Sequence, residues 1–167
     1  KIIAEIGINH NGDMNISMEL IDIASKAGAD MVKFQTFTAG GIVTKFAEKA
    51  NYQKVVSDSD NQYEMLKKLE LTEKNHVELM SYCAEMNIGF LSTPFDLESV
   101  HLLSQLGLDT FKISSGDITN LPLLKLIGGL QKRIILSSGL SSLNEVGDAL
   151  KILISAGADL NKITVLH

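Results

Sequence analysis

The sequence predicts an α/β fold in which parallel strands alternate with helices, and more narrowly a TIM-type (β/α)8 barrel. Strand-like and helix-like apolar segments alternate along all 167 residues. Three helix-like segments end in a similar pattern, a glycine followed by a small or apolar residue and an aspartate, at residues 27–30, 106–109 and 156–159. Polar side chains follow every strand-like segment, and we expect them to share one edge of the sheet.

The apolar pattern sets the order of elements. The predicted strands occupy residues 1–8, 30–35, 88–93, 110–114, 133–137 and 163–166. The first helix follows the turn at residues 9–13 and is expected to bury Ile16, Leu20, Ile23, Ala24 and Ala27. A long irregular segment at 36–71 contains a short helix near residues 61–68, and segments of this length in compact domains are usually functional.

The remaining helices lie between the later strands. They are predicted over residues 72–87, 96–106, 121–130 and from a capping box at 142–145 onward. Val77, Met80 and Ala84 are expected to face inward from the first of these, and Val146, Ala149, Leu150 and Leu153 from the last. This alternation allows an open doubly wound sheet or a barrel.

The barrel is favoured over the open sheet for two reasons. The turns after the strands carry no G-x-G-x-x-G or P-loop pattern. Polar groups also occur at the ends of all predicted strands, whereas an open sheet would concentrate them at a single crevice. A complete barrel needs about 250 residues. We therefore expect residues 1–167 to be the N-terminal portion of a (β/α)8 barrel, truncated after about six strands.

The composition excludes several classes of protein. Hydrophobic residues make up 45% and charged residues 21%, as in ordinary soluble domains. The net charge of −5 argues against a general nucleic-acid binder, and no apolar run is long enough for a membrane span. The single cysteine, Cys83, is predicted to be a small buried residue and fits a cytoplasmic protein.

Each predicted strand ends in side chains that can bind or react. They are Glu5 from the first strand, with Asn9 and His10 in the turn after it; Lys33 and Gln35 from the second; Ser92 and Thr93 from the third; Lys112, Ser114, Ser115 and Asp117 from the fourth; Ser137 and Ser138 from the fifth; and His167 from the sixth. The stretch FKISSGD at 111–117 is the most polar of these strand ends.

Lys33 and Lys112 carry the strongest chemical signal. Alternate residues share a face of a strand, so each lysine shares its face with a polar residue two positions later, while its apolar neighbours face the helices. A buried lysine is costly unless it meets an anion. Two of them beside hydroxyls predict a site for a small, multiply charged anion such as a phosphate ester. Glu5 and Asp117 add carboxylates suited to acid–base chemistry.

Simpler interpretations exist for single residues. A serine at a strand end is more often a cap, Lys33 can reach solvent at a barrel rim, and Glu5 can be a structural partner of a lysine. His76 and His101 are interpreted as exposed or structural, and His10 is left open between a turn and a site. The four histidines show no ligand spacing, so no complete metal site is predicted within the chain.

Seven motifs together resemble those of the sialic acid synthase family, of the N-acetylneuraminate synthase type. They are AEIGINHNGD at 4–13, VKFQTF at 32–37, LSTPFD at 91–96, FKISSGD at 111–117, NLPL at 120–123, ILSSG at 135–139 and ITVLH at 163–167. They follow the family order over the whole chain. Residues 33–37 and 49–53 look closer to the N-acetylneuraminate or legionaminate branch than to the pseudaminate branch.

The resemblance implies a transferase that condenses phosphoenolpyruvate with N-acetylmannosamine or a related sugar to give a nonulosonic acid and phosphate. It implies a complete barrel followed by an antifreeze-like C-terminal domain, which is absent from residues 1–167, and a homodimer in the full-length protein. It also implies a divalent metal, Mn²⁺ or Mg²⁺, whose ligands lie beyond residue 167. We therefore expect the isolated chain to be inactive.

The resemblance also implies roles for individual residues. The positions that match phosphoenolpyruvate ligands are Lys33, Thr93, Lys112, Ser115 and Ser137, and those that match sugar or catalytic positions are Glu5, Gln35 and Asp117. Among these, Glu5 and Asp117 are the predicted catalytic residues. Many bacterial members have Glu where this chain has Asp117, so the carboxylate is one methylene shorter here.

Two alternatives to the synthase stay open. One is a Schiff-base aldolase on the same barrel, with Lys112 or Lys33 as the nucleophile. The other is a non-catalytic barrel fragment that serves as a binding or structural domain.

Overall fold

Parallel strands and helices alternate along the chain in a computed structural model that describes residues 1–45 and 61–167. The motif at 49–53 and residues 46–60 of the predicted irregular segment lie outside the described residues. The chain forms two compact units, Lys1–Phe90 and Leu91–His167.

The strands and helices occur in the predicted order, and their bounds agree with the predicted bounds to within a few residues. The strands are β1 (Ile3–Gly7), β2 (Met31–Thr36), β3 (Gly89–Pro94), β4 (Thr110–Ile113), β5 (Arg133–Ser137) and β6 (Ile163–Leu166). The described helices are α1 (Met14–Lys26), α2 (Ala39–Ile42), α3 (Gln62–Lys67), α4 (Glu73–Glu85), α5 (Leu97–Gln105), α6 (Leu121–Gly129) and α7 (Leu143–Ser155). Short 3-10 turns lie at Ser115–Asp117 and Leu160–Lys162.

The strands form two three-stranded sheets, ordered β1-β2-β3 and β4-β5-β6. The β1–β2, β4–β5 and β5–β6 pairs are parallel, and Glu5 lies opposite Lys33 while Ser137 lies opposite Leu166. These pairs confirm the α/β class. The described residues do not show a closed barrel, so the truncated barrel stays a prediction.

The core of the first unit lies between its sheet and helices α1 and α4. Val32 and Phe34 are fully buried there with Ile21, Leu79 and Cys83. As predicted, the apolar residues of β2 alternate with Lys33 and pack in this helix-facing core. Cys83 is 1% exposed, which confirms the predicted buried cysteine, and burial raises the pKa of its thiol to about 12.

The predicted buried face of α1 is wrong for three residues. Ile16 and Ile23 are exposed, by 37% and 55%, and Ala27 at the C-cap is exposed too, whereas Ser17 and Ile21 are buried. Ser17 can be buried because its hydroxyl donates to the carbonyl of Asp13. The periodicity of apolar residues assigns a serine to the exposed face, because it does not take such a hydrogen bond into account.

The predicted buried face of α4 is also wrong for two of its three residues, and the third, Met80, is half-buried. Val77 is 52% exposed and Ala84 is exposed, whereas the buried face consists of His76, Leu79 and Cys83. The prediction failed because one of the three buried residues is a histidine, and the periodicity was read from apolar residues alone.

The caps of the second unit follow the sequence closely. Ser142 and Glu145 form the predicted capping box at α7, and Asn120 caps α6 through the backbone N–H of Leu123. Ala149 and Leu153 are buried as predicted. Helices α6 and α7 approach closely at Gly128, where an added Cβ would lie 2.7 Å from the carbonyl oxygen of Leu153.

None of the helices in the described ranges combines the length and apolar character that crossing a membrane requires.

Two helical glycines provide a matched test of this packing. We expect Gly128→Ala to destabilise the protein by about 1–3 kcal/mol, because the new methyl group overlaps backbone of α7. Gly147→Ala should instead stabilise it by roughly 0.5–1 kcal/mol, because Gly147 lies within α7 and, apart from the adjacent backbone of its own helix, no atom lies within 4 Å of its added Cβ. Urea unfolding measures both changes, and equal effects of the same sign would contradict the packing described.

Candidate active site

The end of β1 and β2 holds a close ion pair. The Nζ of Lys33 lies 2.6 Å from a carboxylate oxygen of Glu5, and the two residues are opposite each other in the sheet. The side chain of Lys33 is 11% exposed and that of Glu5 is 52% exposed. The pair thus joins a mostly buried cation to a carboxylate that solvent, and therefore a solute, can reach.

Gly7 keeps space open beside this pair. The register between β1 and β2 shifts between Glu5 and Gly7, and Gly7 has a φ of +58°, which favours glycine. A Cβ at Gly7 would lie 3.0 Å from the Glu5 carboxylate and 3.4 Å from the side-chain nitrogen of Gln35. The side chains of Glu5 and Gln35 therefore both border the space that a side chain at Gly7 would fill.

His76 anchors the end of β2, a supporting role that the sequence did not indicate. His76 is fully buried, its Nδ1 lies 2.8 Å from the carbonyl of Thr72, and its Nε2 lies 2.8 Å from the hydroxyl of Thr36. A carbonyl only accepts, so Nδ1 carries the hydrogen and Nε2 accepts from Thr36. His76 is thus structural, one of the two interpretations left open, and it fixes the residue that follows Gln35.

His10 belongs to the turn after β1. It is fully buried, its Nδ1 accepts a hydrogen bond of 3.0 Å from the backbone N–H of Gly12, and burial lowers its pKa from the usual 6.5. Its ring lies 6.1 Å from that of Phe34. These contacts favour the turn interpretation, and the positive φ values of Asn11 and Gly12 show how tight the turn is.

Lys112 occupies the end of β4 in the second unit. It is only 8% exposed, and its Nζ donates a 2.9 Å hydrogen bond to the carbonyl of Ile113. The flanking Phe111 and Ile113 are fully buried. The prediction of a buried lysine between two core residues is confirmed for this strand.

The turn after β4 holds Ser114, Ser115 and Asp117. Ser114 caps the 3-10 turn by accepting from the backbone N–H of Gly116, so it has the simpler role weighed for strand-end serines. Asp117 is half-buried, accepts a 3.3 Å hydrogen bond from Asn120, and burial raises the pKa of its carboxyl above the usual 3.8. An acid with a raised pKa is suited to proton transfer.

The end of β5 meets this turn. A Cβ at Gly139 would lie 2.5 Å from the hydroxyl oxygen of Ser115, so only glycine fits beside Ser115. Ser137 is half-buried, whereas Ser138 is 6% exposed and bonds to the backbone of Leu166. Thr93, in β3, is 2% exposed.

The predicted site residues fall in both units. Glu5, Lys33 and Gln35 lie together in the first, and Lys112, Ser115, Asp117 and Ser137 lie at one edge of the second sheet or the turn beside it. Within residues 1–45 and 61–167, no three His, Cys, Asp or Glu side chains are grouped so as to hold a metal ion. The divalent metal therefore stays a prediction, and the residues described do not fit one by themselves.

The fold and these residues define a class: an α/β protein with buried lysines, carboxylates and hydroxyls at the carboxyl ends of parallel strands, an arrangement that suits small anionic substrates. The NeuB family model matches residues 20–167. The chain belongs to the NeuB family, which confirms the resemblance to sialic acid synthases.

Known relatives agree with this membership. N,N'-diacetyllegionaminic acid synthase of Campylobacter jejuni is 53% identical over 167 residues, covering 99% of this chain and 50% of that protein. The protein of the same name from Legionella pneumophila is 47% identical over 146 residues, covering 87% and 41%. The crystal structure of sialic acid synthetase from Leptospira borgpetersenii, in complex with citrate, is 30% identical with a TM-score of 0.82, covering 99% and 53%. The chain thus spans about half the length of these relatives.

The buried His76 predicts a pH dependence of stability. Burial lowers its pKa in the folded chain from 6.5, more than the bond to Thr72 raises it. The unfolded chain therefore binds the proton first as the pH falls, so stability is fully present above about pH 6.5 and is lost below it. Urea unfolding at about pH 7.5 and 5.5 should show a larger loss for the wild type than for His76→Gln. Equal losses in the two proteins would contradict this role of His76.

Proposed function

We propose that this chain supplies part of the active site of a synthase that condenses phosphoenolpyruvate with an N-acetylated sugar to give a nonulosonic acid and phosphate. The observation that carries the proposal is the presence of two buried lysines at strand ends, Lys33 paired with the Glu5 carboxylate and Lys112 bonded to the carbonyl of Ile113, in a member of the NeuB family. The identity to two legionaminic acid synthases supports an N-acetylneuraminate or N,N'-diacetyllegionaminate type of sugar.

Phosphoenolpyruvate would be bound mainly by the lysines and serines. It carries a phosphate and a carboxylate, and charge-assisted hydrogen bonds are the strongest that a protein offers to such groups. We assign this role to Lys33, Thr93, Lys112, Ser115 and Ser137. The ammonium of Lys112 is held by the Ile113 carbonyl, which fixes its position before the anion arrives.

The carboxylates would serve the reacting carbons. Carbon 3 of phosphoenolpyruvate forms a bond to the aldehyde carbon of the open-chain sugar, whose oxygen takes a proton. Water then adds to carbon 2 and loses one proton. Phosphate leaves with the electrons of the C–O bond and takes up a proton, and the hydroxyl left on carbon 2 loses its remaining proton as the ketone forms. Glu5 and Asp117 are the groups we assign to these proton transfers, and the raised pKa of Asp117 brings it closer to the pH at which it would act. Gln35 would contact the sugar.

Several wider features rest on family membership. We propose that residues 1–167 are the N-terminal portion of a (β/α)8 barrel, in accord with the TM-score of 0.82 to a sialic acid synthetase chain. We propose further a homodimer in the cytoplasm, an antifreeze-like C-terminal domain and a divalent metal ion for the complete protein. Since the described residues offer no metal site, no step of the reaction is assigned to that ion here.

The Schiff-base aldolase is less well supported. An ammonium that donates to the Glu5 carboxylate at 2.6 Å has no lone pair for attack on a carbonyl, which weighs against Lys33 as the nucleophile. Borohydride reduction with pyruvate discriminates the two reactions, because an aldolase would be trapped as a stable adduct and the synthase would not.

The function is tested with the complete polypeptide that contains this sequence. It is incubated with a divalent metal, N-acetylmannosamine or a diacetamido sugar, and phosphoenolpyruvate labelled with ¹⁸O in the bridging oxygen. We expect sugar-dependent release of phosphate that retains the label, because the C–O bond breaks. Absence of sugar-dependent phosphate release with either sugar would overturn the proposal. The 167-residue chain alone is expected to be inactive, and turnover by it would contradict that expectation.

Two substitutions separate binding from turnover. In the complete polypeptide, Lys112→Ala should raise the KM for phosphoenolpyruvate by about 10- to 100-fold, because a charged hydrogen-bond donor is lost. Asp117→Asn should lower kcat by about 10²- to 10⁴-fold with little change in that KM.

Steady-state kinetics of both variants checks these roles. Lys125→Ala removes an exposed lysine of α6 and serves as the matched control, with unchanged kinetics. If the Lys112 change affected only kcat and the Asp117 change only KM, the two role assignments would be wrong.

A further inference from the structure

The ends of β5 and β6 are joined by a serine and a histidine to which no role in the reaction has been assigned. The hydroxyl oxygen of Ser138 lies 2.8 Å from Nδ1 of His167 and 3.1 Å from the carbonyl oxygen of Leu166. The backbone N–H of Ser138 also donates to that carbonyl, at 2.9 Å. Ser138 is 6% exposed, whereas the ring it contacts belongs to an exposed residue.

The hydrogens in this contact can be assigned by elimination. A serine hydroxyl has one hydrogen, and a carbonyl oxygen can only accept. If that hydrogen pointed to His167, the hydroxyl and the Leu166 carbonyl would face each other at 3.1 Å without a hydrogen between them. The hydroxyl therefore donates to Leu166 and accepts from His167. Nδ1 of His167 carries a hydrogen, and in the neutral ring Nε2 then presents a lone pair.

The location of this lone pair relates it to the candidate site. His167 directly follows β6, whose Leu166 lies opposite Ser137 in the sheet. Ser137 and Ser138 end the neighbouring strand, and Gly139 adjoins Ser115. The histidine thus lies at the same carboxyl edge of the sheet as the residues assigned to substrate.

The chemistry of a neutral acceptor limits what it can bind. The phosphate and carboxylate of ionised phosphoenolpyruvate have no hydrogens to donate, so they suit the lysines and not this nitrogen. A sugar carries several hydroxyls and an amide N–H, each of which can donate. Polar contacts to such groups are the usual means by which a site fixes a hydroxylated substrate.

We propose that Nε2 of His167 accepts a hydrogen bond from the sugar substrate, and that Ser138 is the positioning residue that sets the tautomer of the histidine. This inference rests on the proposed function for the identity of the substrate. It concerns a contact with the sugar and adds no proton transfer to the reaction.

The tautomer is tested by nitrogen NMR on the complete polypeptide, labelled with ¹⁵N at histidine. The His167 resonances are identified by their loss in His167→Asn. We expect a protonated Nδ1 and an unprotonated Nε2 at a pH where the ring is neutral, and loss of this preference in Ser138→Ala. A protonated Nε2 in the wild type would overturn the inference, whether or not the synthase activity is found.

The contact with sugar is tested by two variants that replace opposite ends of the ring. In His167→Gln the amide reaches the position of Nε2 and can still accept, whereas in His167→Asn it reaches only the position of Nδ1. We expect Asn to raise the KM for the sugar by about three- to tenfold with little change in the KM for phosphoenolpyruvate, and Gln to raise it less. His101→Ala, at an exposed position of α5, is the control and should leave both values unchanged.

The NMR and kinetic experiments together distinguish the ways in which the proposal could be wrong. If Asn is tolerated and Gln is not, the histidine serves only to bond Ser138, and the proposed contact is overturned. If the KM for phosphoenolpyruvate rises in place of that for the sugar, the assignment to sugar is wrong. If the wild type lacks condensation activity, the proposed function fails and the sugar contact fails with it, while the NMR result still decides the tautomer.

Discussion

The burial of lysine ammonium groups at the ends of parallel strands is the constraint on which the site depends. A buried charge is expensive, and a fold retains it only where an opposite charge or a set of acceptors compensates it. Lys33 meets the Glu5 carboxylate at 2.6 Å, and Lys112 meets the carbonyl of Ile113 at 2.9 Å. Each lysine is thereby fixed in place, so under the proposed function it would receive an anion without further ordering.

The surrounding structure supports this arrangement from the opposite face of the strands. Phe34 and Phe111, next to the two lysines, are fully buried, so the strands cannot rotate their polar face away from the site without exposing core residues. Gly7 and Gly139 leave room for the side chains of Glu5 and Ser115. His76 holds Thr36 through its Nε2 and so secures the end of β2.

The sequence predicted the order of elements, the parallel α/β class and the burial of both lysines, because each follows from short-range patterns of apolar and polar residues. It did not predict that Ser17 and His76 would be buried, because their burial depends on hydrogen bonds to Asp13, Thr72 and Thr36 that no periodicity reveals. The sequence presented four strand-end serines as one set. In the structure Ser114 caps a turn and Ser138 contacts His167, which leaves Ser115 and Ser137 as the candidate ligands.

The central claim is that the buried lysines exist to bind the anionic substrate. The most direct test is the crystal structure of the complete polypeptide with phosphoenolpyruvate bound. The account predicts that oxygens of its phosphate or carboxylate lie within hydrogen-bonding distance of a lysine ammonium, that of Lys33 or Lys112. Phosphoenolpyruvate bound at a site that includes neither lysine would contradict it.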